Sequence, residues 1–234
     1  GCSSAYNFEI FVWDLRSDKI IRNLTGHREG TVASAFSPDG RYLLTGSMDA
    51  TARLWDFTNG NSISLVSGDR DWVIFNDQGY FDASREGGEL VNVSSVMDVF
   101  AIDQFALKSN RPDMLMRSMG IGSLSAINHY SNEFRKRLRK FGIGESTLGH
   151  ELQVPEVMIV SVEQKGHEAV ITSKFTDSRH LLKSYSIYVN DVPIFGSRGK
   201  PLGGNAARKT DSLELSDGLN KIELSCFNDR GAES

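Results

Sequence analysis

The chain has 234 residues, of which 26 are basic and 30 acidic, so its formal net charge is -4. This charge offers no overall attraction to DNA or RNA, which excludes a general nucleic-acid binder. Uninterrupted apolar runs are only a few residues long, as at 157–160, and exclude a membrane-spanning helix. The two cysteines, Cys2 and Cys226, lie near opposite ends and form no CxxC pair. They therefore indicate a reducing, cytoplasmic setting rather than a disulfide framework or a zinc ribbon.

A repeat begins the chain. The tripeptide Val12-Trp13-Asp14 recurs as Leu54-Trp55-Asp56, at a spacing of about 42 residues that is typical of four-stranded propeller blades. Between the two copies, Gly26-His27 opens a unit that contains a turn at Ser37-Pro38-Asp39-Gly40. The pattern predicts strands over residues 32–36, 42–47 and 51–55.

This spacing resembles the WD-repeat β-propeller family over about residues 1–66. In that family, a histidine, a strand serine or threonine, a turn aspartate and a tryptophan indole are linked by hydrogen bonds within each blade. The resemblance assigns these positions to His27, Thr45, Asp49 and Trp55, in a structural rather than catalytic role, since buried polar groups require partners. Asn7 stands where the first, partial blade would carry its aspartate.

One blade and a fragment cannot close a ring, so we expect further blades before Gly1 and interpret the sequence as an excerpt. Residues 76–84 repeat the turn and strand of residues 37–47, but Met97 stands where the next tryptophan would lie. We therefore predict that 71–100 is a diverged, closing part of the propeller. The first domain accordingly spans residues 1–100.

Residues 101–154 are predicted to be a helical linker. Pro112 suits the first turn of a short helix over 112–119, and a second helix over 125–141 ends at Gly142. Its polar face is strongly basic. This basic face has three interpretations: a solvated surface, a docking site for an acidic partner, or a nucleic-acid site. A nucleic-acid site would need interleaved aromatic residues, which this face lacks. The basic residues are Arg135, Lys136, Arg137, Arg139 and Lys140.

Residues 155–234 are predicted to form an immunoglobulin-like β-sandwich. The apolar pattern predicts strands over 157–162, 169–175, 185–189, 212–215 and 221–227. Asn190-Asp191 and Asp217-Gly218 indicate hairpins, whereas 196–204 indicates a loop. Residues 217–224 and 228–231 resemble the last hairpin of bacterial immunoglobulin-like modules. The predicted fold class is therefore mainly β: C-terminal propeller blades, a helical linker and a sandwich.

The order of these features resembles bacterial WD-repeat proteins that end in a caspase-like cysteine peptidase domain. The resemblance depends mainly on residues 79–84 and 110–113, and it implies that a peptidase follows Ser234. A caspase-like site needs a histidine and a thiol in facing loops. Cys226 lies in a predicted strand, so we expect a structural thiol. The histidines have no metal-binding spacing, and we expect no catalytic residue, metal or cofactor in this chain.

Two functions remain as hypotheses. The first is a non-catalytic scaffold that binds protein partners, without nucleic-acid binding or membrane insertion, and regulates the downstream peptidase. The second is a carbohydrate- or surface-binding sandwich, which would need exposed aromatic side chains. The candidates for that role are Trp72, Tyr80, Tyr185 and Tyr188. A third class, catalysis in a propeller channel, would require residues from several other blades.

Overall fold

A computed structural model describes residues 2–4, 8–94, 98–149 and 152–234, with the backbone alone for residues 2–4. The chain is mainly β, with several antiparallel sheets and a few helices, as the sequence predicts. It divides into two compact units. The first comprises Gly1–Asn92 and Asn110–Ser131, and the second comprises Val93–Ser109 and Asn132–Ser234. Two positions discussed above, Asn7 and Met97, lie outside the described residues, and so does one of the histidines, His150.

The first unit contains two antiparallel sheets. The smaller sheet consists of β1 (Cys2–Ser4), β2 (Ile10–Asp14) and β3 (Lys19–Leu24). The larger has six strands, and each pairs with the next in the chain. They are β4 (Thr31–Phe36), β5 (Tyr42–Ser47), β6 (Ala52–Asp56), β7 (Ser62–Ser67), β8 (Trp72–Phe75) and β9 (Phe81–Ala83).

The segment that repeats the turn and strand of the WD unit extends the existing sheet instead of starting another. β8 pairs with β7, and β9 pairs with β8. The turn between β8 and β9 is closed by Asn76, whose side-chain oxygen accepts the N–H groups of Gln78 and Tyr80 at 3.1 and 3.0 Å. This hairpin covers the edge of β7, which would otherwise be left without a partner strand.

Apolar side chains of both sheets share one core in the first unit. Ile10 and Val12 from β2 pack with Leu43 from β5 and Trp55 from β6, and Leu24 and Phe57 flank them. The alternation of buried and exposed residues along β5 and β6 places these side chains on one face. The repeat tripeptides therefore contribute directly to the core.

Short elements and three helices follow the six-stranded sheet. A 3-10 turn covers Gly87–Leu90, and another covers Ile102–Phe105. Between them lie β10 (Asn92–Ser94) and β11 (Val99–Ala101). The helices are α1 (Ala106–Ser109), α2 (Pro112–Met119) and α3 (Leu124–Phe141), and a 3-10 turn at Glu145–Thr147 comes after them.

Both longer helices end at glycines with positive φ, Gly120 at 59° and Gly142 at 63°, as left-handed C-caps require. Proline is at the first position of α2, where its missing N–H costs no helical hydrogen bond. In the second unit, Phe134 and Leu138 of α3 pack against Leu107 and Ile143. The apolar face of α3 is therefore anchored there.

The C-terminal part of the chain forms two sheets, which we call the C-terminal sheet pair. Its strands are β12 (Glu156–Lys165), β13 (Glu168–Thr176), β14 (Leu182–Val189), β15 (Val192–Pro193), β16 (Lys200–Pro201), β17 (Ala206–Glu214) and β18 (Ile222–Asn228). One sheet has the order β12-β13-β17; in the other, β14 pairs with β15, β16 and β18.

Three details of this part differ from the sequence prediction. The turn at Asp217-Gly218 is not a hairpin, because it joins β17, which pairs with β13, to β18, which pairs with β14. The strand predicted at 212–215 begins earlier, at Ala206. The predicted loop 196–204 contains a 3-10 turn at Gly196–Arg198 and the short strand β16. Local turn chemistry indicates that the chain reverses but not which strand it then meets.

The two sheets share one apolar core. Ile171 and Phe175 of β13 and Leu213 of β17 pack with the buried residues of β14 and β18. A buried polar pair lies at this core: Tyr185 donates its hydroxyl to Asp211 Oδ2 at 2.9 Å. Burial and the neighbouring Asp211 carboxylate raise the pKa of Tyr185 above its usual value. Asp211 also contacts Lys200 Nζ, so the buried carboxylate has two donors.

Candidate functional site

The four polar residues expected within the blade meet in the six-stranded sheet. His27 Nε2 lies 2.8 Å from Thr45 Oγ1, and His27 Nδ1 lies 3.0 Å from Asp49 Oδ2. The Trp55 indole N–H donates to Thr45 Oγ1 at 2.9 Å. One assignment satisfies every group: the indole donates to Thr45, Thr45 donates to His27 Nε2, and His27 Nδ1–H donates to Asp49. We call this set of four residues the blade network.

Asp49 ends the blade network as an ionised carboxylate. Partial burial would raise its pKa, but hydrogen bonds from the Thr51 hydroxyl, from the N–H groups of Arg28 and Thr51, and from His27 together hold the pKa well below its usual value. His27, Thr45 and Trp55 are buried. Three of the four members are therefore shielded from solvent, and the geometry of the network links loop to strand rather than presenting a reactive group.

The aspartate that follows Trp55 organises a second site, which the sequence analysis did not identify. Asp56 is buried and accepts a hydrogen bond from Arg41 Nη2 at 2.8 Å. The same nitrogen donates to the Met119 carbonyl at 3.2 Å, and the Tyr42 hydroxyl donates to that carbonyl at 2.8 Å. The bond from Arg41 is the main reason why the pKa of Asp56 is lowered.

The Ser118 carbonyl, next to that of Met119, accepts hydrogen bonds from the turn between β6 and β7. Asn59 and Asn61 each donate a side-chain N–H to the Ser118 carbonyl, at 2.8 and 2.7 Å. The last carbonyls of a helix lack helical partners and carry a partial negative charge, so an arginine and three neutral donors suit them. In the sequence, Asp56 is the signal for the contact between this part of the sheet and the end of α2. The helix itself gives none, because it lies far along the chain.

The beginning of α2 is held by the two segments that the sequence analysis singled out. Arg111 and Asp113 form a buried bidentate pair, with Nε–Oδ1 at 2.8 Å and Nη2–Oδ2 at 2.9 Å. The Arg111 N–H donates to the Phe81 carbonyl at 2.9 Å, and its guanidinium lies 5.9 Å from the Tyr80 ring centre. Residues 79–84 and 110–113 are therefore in direct contact in the first unit.

The basic residues of α3 occupy an exposed helix face. Arg135, Lys136, Arg139 and Lys140 are exposed, whereas Arg137 is half-buried. Lys136 Nζ lies 2.6 Å from Glu133 Oε1, and Arg135 donates weakly to Asn132 Oδ1 at 3.3 Å. We call the four exposed cations the α3 basic face. Among the ion pairs of the described residues, Glu133 is the acidic partner of this face, which carries four cations.

Two buried titratable groups lie at the end of the chain. Burial, with the nearby Asp177 and Glu233 carboxylates, raises the pKa of Cys226 to about 12. The thiol is thus protonated at neutral pH and is a poor nucleophile. Burial raises the pKa of Glu233 to about 7, although Ser225 partly opposes the shift.

The described residues include no cluster of three or more His, Cys, Asp or Glu side chains arranged to hold a metal ion. Within the same residues, no helix has the length and apolar character needed to span a membrane.

Replacing Thr45 with valine removes the hydroxyl at the centre of the blade network while keeping the shape of the side chain. We expect the free energy of unfolding to fall by about 2 to 4 kcal/mol, because the buried Trp55 N–H and His27 Nε2 both lose their partner. Urea denaturation followed by tryptophan fluorescence measures the loss. Thr172→Val, which removes a hydroxyl on the surface of β13, is the matched control; equal stabilities of the two variants would contradict the network.

Replacing Asp56 with asparagine removes the charge that holds Arg41 at the end of α2. We expect the thermal unfolding midpoint at pH 7 to fall by about 5 °C. Because the pKa of Asp56 is lowered in the folded state, its contribution is present above the unfolded pKa of about 4 and is lost as the pH falls through the lower folded pKa. The difference from the wild type should therefore persist at neutral pH and shrink as the pH falls below about 4. The exposed control Asp69→Asn should show neither effect.

Comparison with known proteins identifies one part of the chain. Residues 18–56 match the family described as "WD domain, G-beta repeat". The chain is 42% identical to ribosome assembly protein 4 of Saccharomyces cerevisiae over 59 residues, and 43% identical to human WD repeat-containing protein 36 over 54 residues. It is also 41% identical to the protein groucho of Drosophila melanogaster over 63 residues.

These three alignments cover 25%, 23% and 27% of this chain and only 12%, 6% and 8% of the relatives. The chain therefore matches a small part of each relative's length, and all three relatives are eukaryotic proteins. The family match at residues 18–56 covers β3 to β6 and includes the four residues of the blade network. Residues 18–56 are accordingly similar to a WD repeat of the G-beta type.

Proposed function

We propose that this chain is a non-catalytic scaffold that binds protein partners. WD repeats in general mediate protein–protein interaction, and residues 18–56 match that family. The observation that carries the proposal is that polar and apolar side chains of the six-stranded sheet are placed differently. The polar groups of the blade network bond one another inside, while Val32, Leu44 and Met48 expose large apolar side chains outside. Contiguous exposed apolar patches mark surfaces that contact other proteins, and in this proposal the three side chains belong to such a patch.

The absence of catalysis is part of this proposal. The Cys226 thiol is buried and its pKa is raised, so it lacks the activation that a nucleophile requires. His27 is enclosed in the blade network. The two ionisable groups near the end of the chain, Cys226 and Glu233, are buried. Burial is more consistent with a structural role than with chemistry on a substrate.

The α3 basic face supports the proposal that the partner is an acidic protein segment rather than a nucleic acid. Four cations within six residues create a local positive potential on a chain whose net charge is -4. Such a patch would attract and orient an acidic protein segment without drawing in polyanions over the whole surface. Phe134 and Leu138 anchor the opposite side of the helix, so the face is presented on a fixed element.

Changing Arg135, Lys136, Arg139 and Lys140 together to glutamine tests this face. Because these side chains are exposed and their ion pairing is slight, we expect the unfolding free energy to change by less than about 1 kcal/mol. Binding of a fluorescent deca-glutamate peptide at low salt, measured by anisotropy, should weaken at least tenfold.

The control variant changes four other exposed cations, Lys165, Lys174, Arg208 and Lys209, to glutamine. It alters the net charge by the same amount but leaves α3 intact, so it should keep the affinity for the peptide. Equal losses in the two variants would show that binding follows net charge alone. A large loss of stability in the α3 variant would instead make its cations structural.

We further propose that the scaffold regulates a caspase-like peptidase in a longer protein. Its support is the contact between the segments 79–84 and 110–113, on which the resemblance depends. Determining the coding sequence on both sides of this chain, and assaying the full product on aspartate and basic-residue peptide reporters, tests the idea. Cleavage activity that changes on deletion of residues 1–234 is expected; a product without a histidine–cysteine pair would rule it out.

The carbohydrate-binding alternative gains no support from the aromatic side chains. Tyr185 is buried and bonded to Asp211, and Tyr188 is half-buried. Trp72 is exposed but lies in β8, outside the C-terminal sheet pair. A sugar site requires accessible ring faces grouped on one surface, and these residues do not provide them.

A further inference from the structure

A cavity of about 350 Å³ lies in the second unit, beside the C-terminal sheet pair. Four segments supply its walls: part of 142–147 after α3, the start of β14 at 181–183, the loop 202–204, and Asp229 just after β18. Volumes of about 300 to 1,000 Å³ are typical of small-molecule sites. This cavity is at the lower end of that range, so it suits a ligand of amino-acid size.

Main-chain hydrogen bonds hold three of these walls together. The Leu182 N–H donates to the Gly204 carbonyl at 2.8 Å, which ties the start of β14 to the loop 202–204. The Asp229 N–H donates to the Leu181 carbonyl at 2.8 Å, which ties the same strand to the segment after β18. The cavity is therefore formed by the fold itself and does not need a ligand to assemble it.

Two side chains of opposite charge line the cavity without pairing with each other. The Oδ1 atom of Asp229 is enclosed and has no hydrogen-bond partner, whereas Lys183 is exposed. Within the part of the chain that the structure describes, neither side chain forms an ion pair or a hydrogen bond. Arg230, the cation next to Asp229 in the chain, is engaged, because it donates to the Thr147 carbonyl at 3.0 Å. The cavity thus keeps one negative and one positive group available to a ligand.

The rest of the lining is largely apolar. Ile143 and Leu182 are buried and Leu202 is half-buried, but Leu181 is 55% exposed although it lines a cavity. A ligand that covers Leu181 and Leu202 removes apolar surface from water, which favours binding. The cavity therefore combines an apolar wall with one group of each charge, as small-molecule sites do when a few polar groups orient the ligand.

We propose that this cavity binds a free amino acid with an aliphatic side chain, such as leucine. The ammonium group of the ligand bonds the Asp229 carboxylate, the carboxylate of the ligand bonds Lys183, and its side chain covers Leu181 and Leu202. A ligand with a single charge would leave one of the two charged residues uncompensated, whereas a zwitterion serves both. Charge-assisted hydrogen bonds are stronger than neutral ones, so each end of the ligand contributes to affinity. This site goes beyond the scaffold function, because it takes a small molecule rather than a protein partner.

Titration of the protein with L-leucine, followed by two-dimensional amide NMR, tests the site. We expect the amide resonances of Lys183, Gly203 and Gly204 to shift along one common binding curve. Three matched ligands separate the contacts: 3-methylbutylamine lacks the carboxylate, 4-methylpentanoate lacks the ammonium group, and glycine lacks the apolar side chain. Each of them should bind at least about tenfold more weakly than leucine, because each loses one of the three contacts.

Two variants remove one charge each. Asp229→Asn keeps the size of the side chain and Lys183→Met keeps most of its length, and each should weaken leucine binding at least about tenfold. Because Lys183 is exposed, its variant is expected to fold even if the Asp229 variant does not, so the test stays decisive. The control variants Asp217→Asn and Lys165→Met change exposed residues outside the lining and should bind leucine as the wild type does.

Several outcomes would overturn the proposal. An absence of shifts at these amides up to the solubility limit of leucine means that the cavity does not take this ligand. Binding of 3-methylbutylamine as tight as that of leucine means a cation site without a carboxylate contact. Unchanged leucine binding in the folded Lys183→Met variant places the ligand elsewhere. The scaffold function is tested by the deca-glutamate experiment with other residues, so the failure of one proposal is distinguishable from the failure of the other.

Discussion

The hydroxyl of Thr45 is the interaction on which the first unit depends. A buried tryptophan N–H and a buried histidine nitrogen both need a partner, and one oxygen serves them both. Since the cost of leaving either group unsatisfied is comparable to a large fraction of a domain's stability, the strand and the loop that carry them are held in one arrangement. Asp49 completes the chain of hydrogen bonds and fixes the turn before β6.

The docking of α2 follows from this arrangement. Once Trp55 is fixed in the core, the next residue, Asp56, is buried on the other face, where it needs a cation. Arg41 supplies that cation and, with Tyr42, also reaches the end of α2. At the other end of the helix, Arg111 pairs with Asp113 and bonds the strand β9. A helix of eight residues is marginal by itself, and contacts at both ends give it a defined place.

A binding function is consistent with how polar groups are distributed. Those of the blade network and of the Tyr185–Asp211 pair are buried and engaged with one another, and are therefore unavailable to a ligand. The groups left for a partner are exposed apolar side chains on the six-stranded sheet and exposed cations on α3. Surfaces of this kind recognise partners by shape and charge, without a reactive group.

Local patterns in the sequence determined the elements that depend on near neighbours. The repeat tripeptides, the Gly-His pair and the turn at 37–40 predicted a WD repeat, and residues 18–56 match the model of that family. Proline and glycine at helix ends, and apolar alternation in strands, likewise act over a few residues. The bacterial peptidase resemblance and the immunoglobulin-like assignment, which depend on the order of whole domains, stay predictions.

Only the tertiary structure decided which distant segments meet. Asp217-Gly218 is typical of a hairpin turn, but the two strands that flank it belong to different sheets. β17 pairs with β13, and β18 pairs with β14. The residues around the end of α2 showed no joint pattern, since Arg41, Asn59 and Ser118 are far apart in the chain. A turn propensity is set by a few adjacent residues, whereas strand partners and helix docking are set by the total burial and hydrogen bonding of the folded chain.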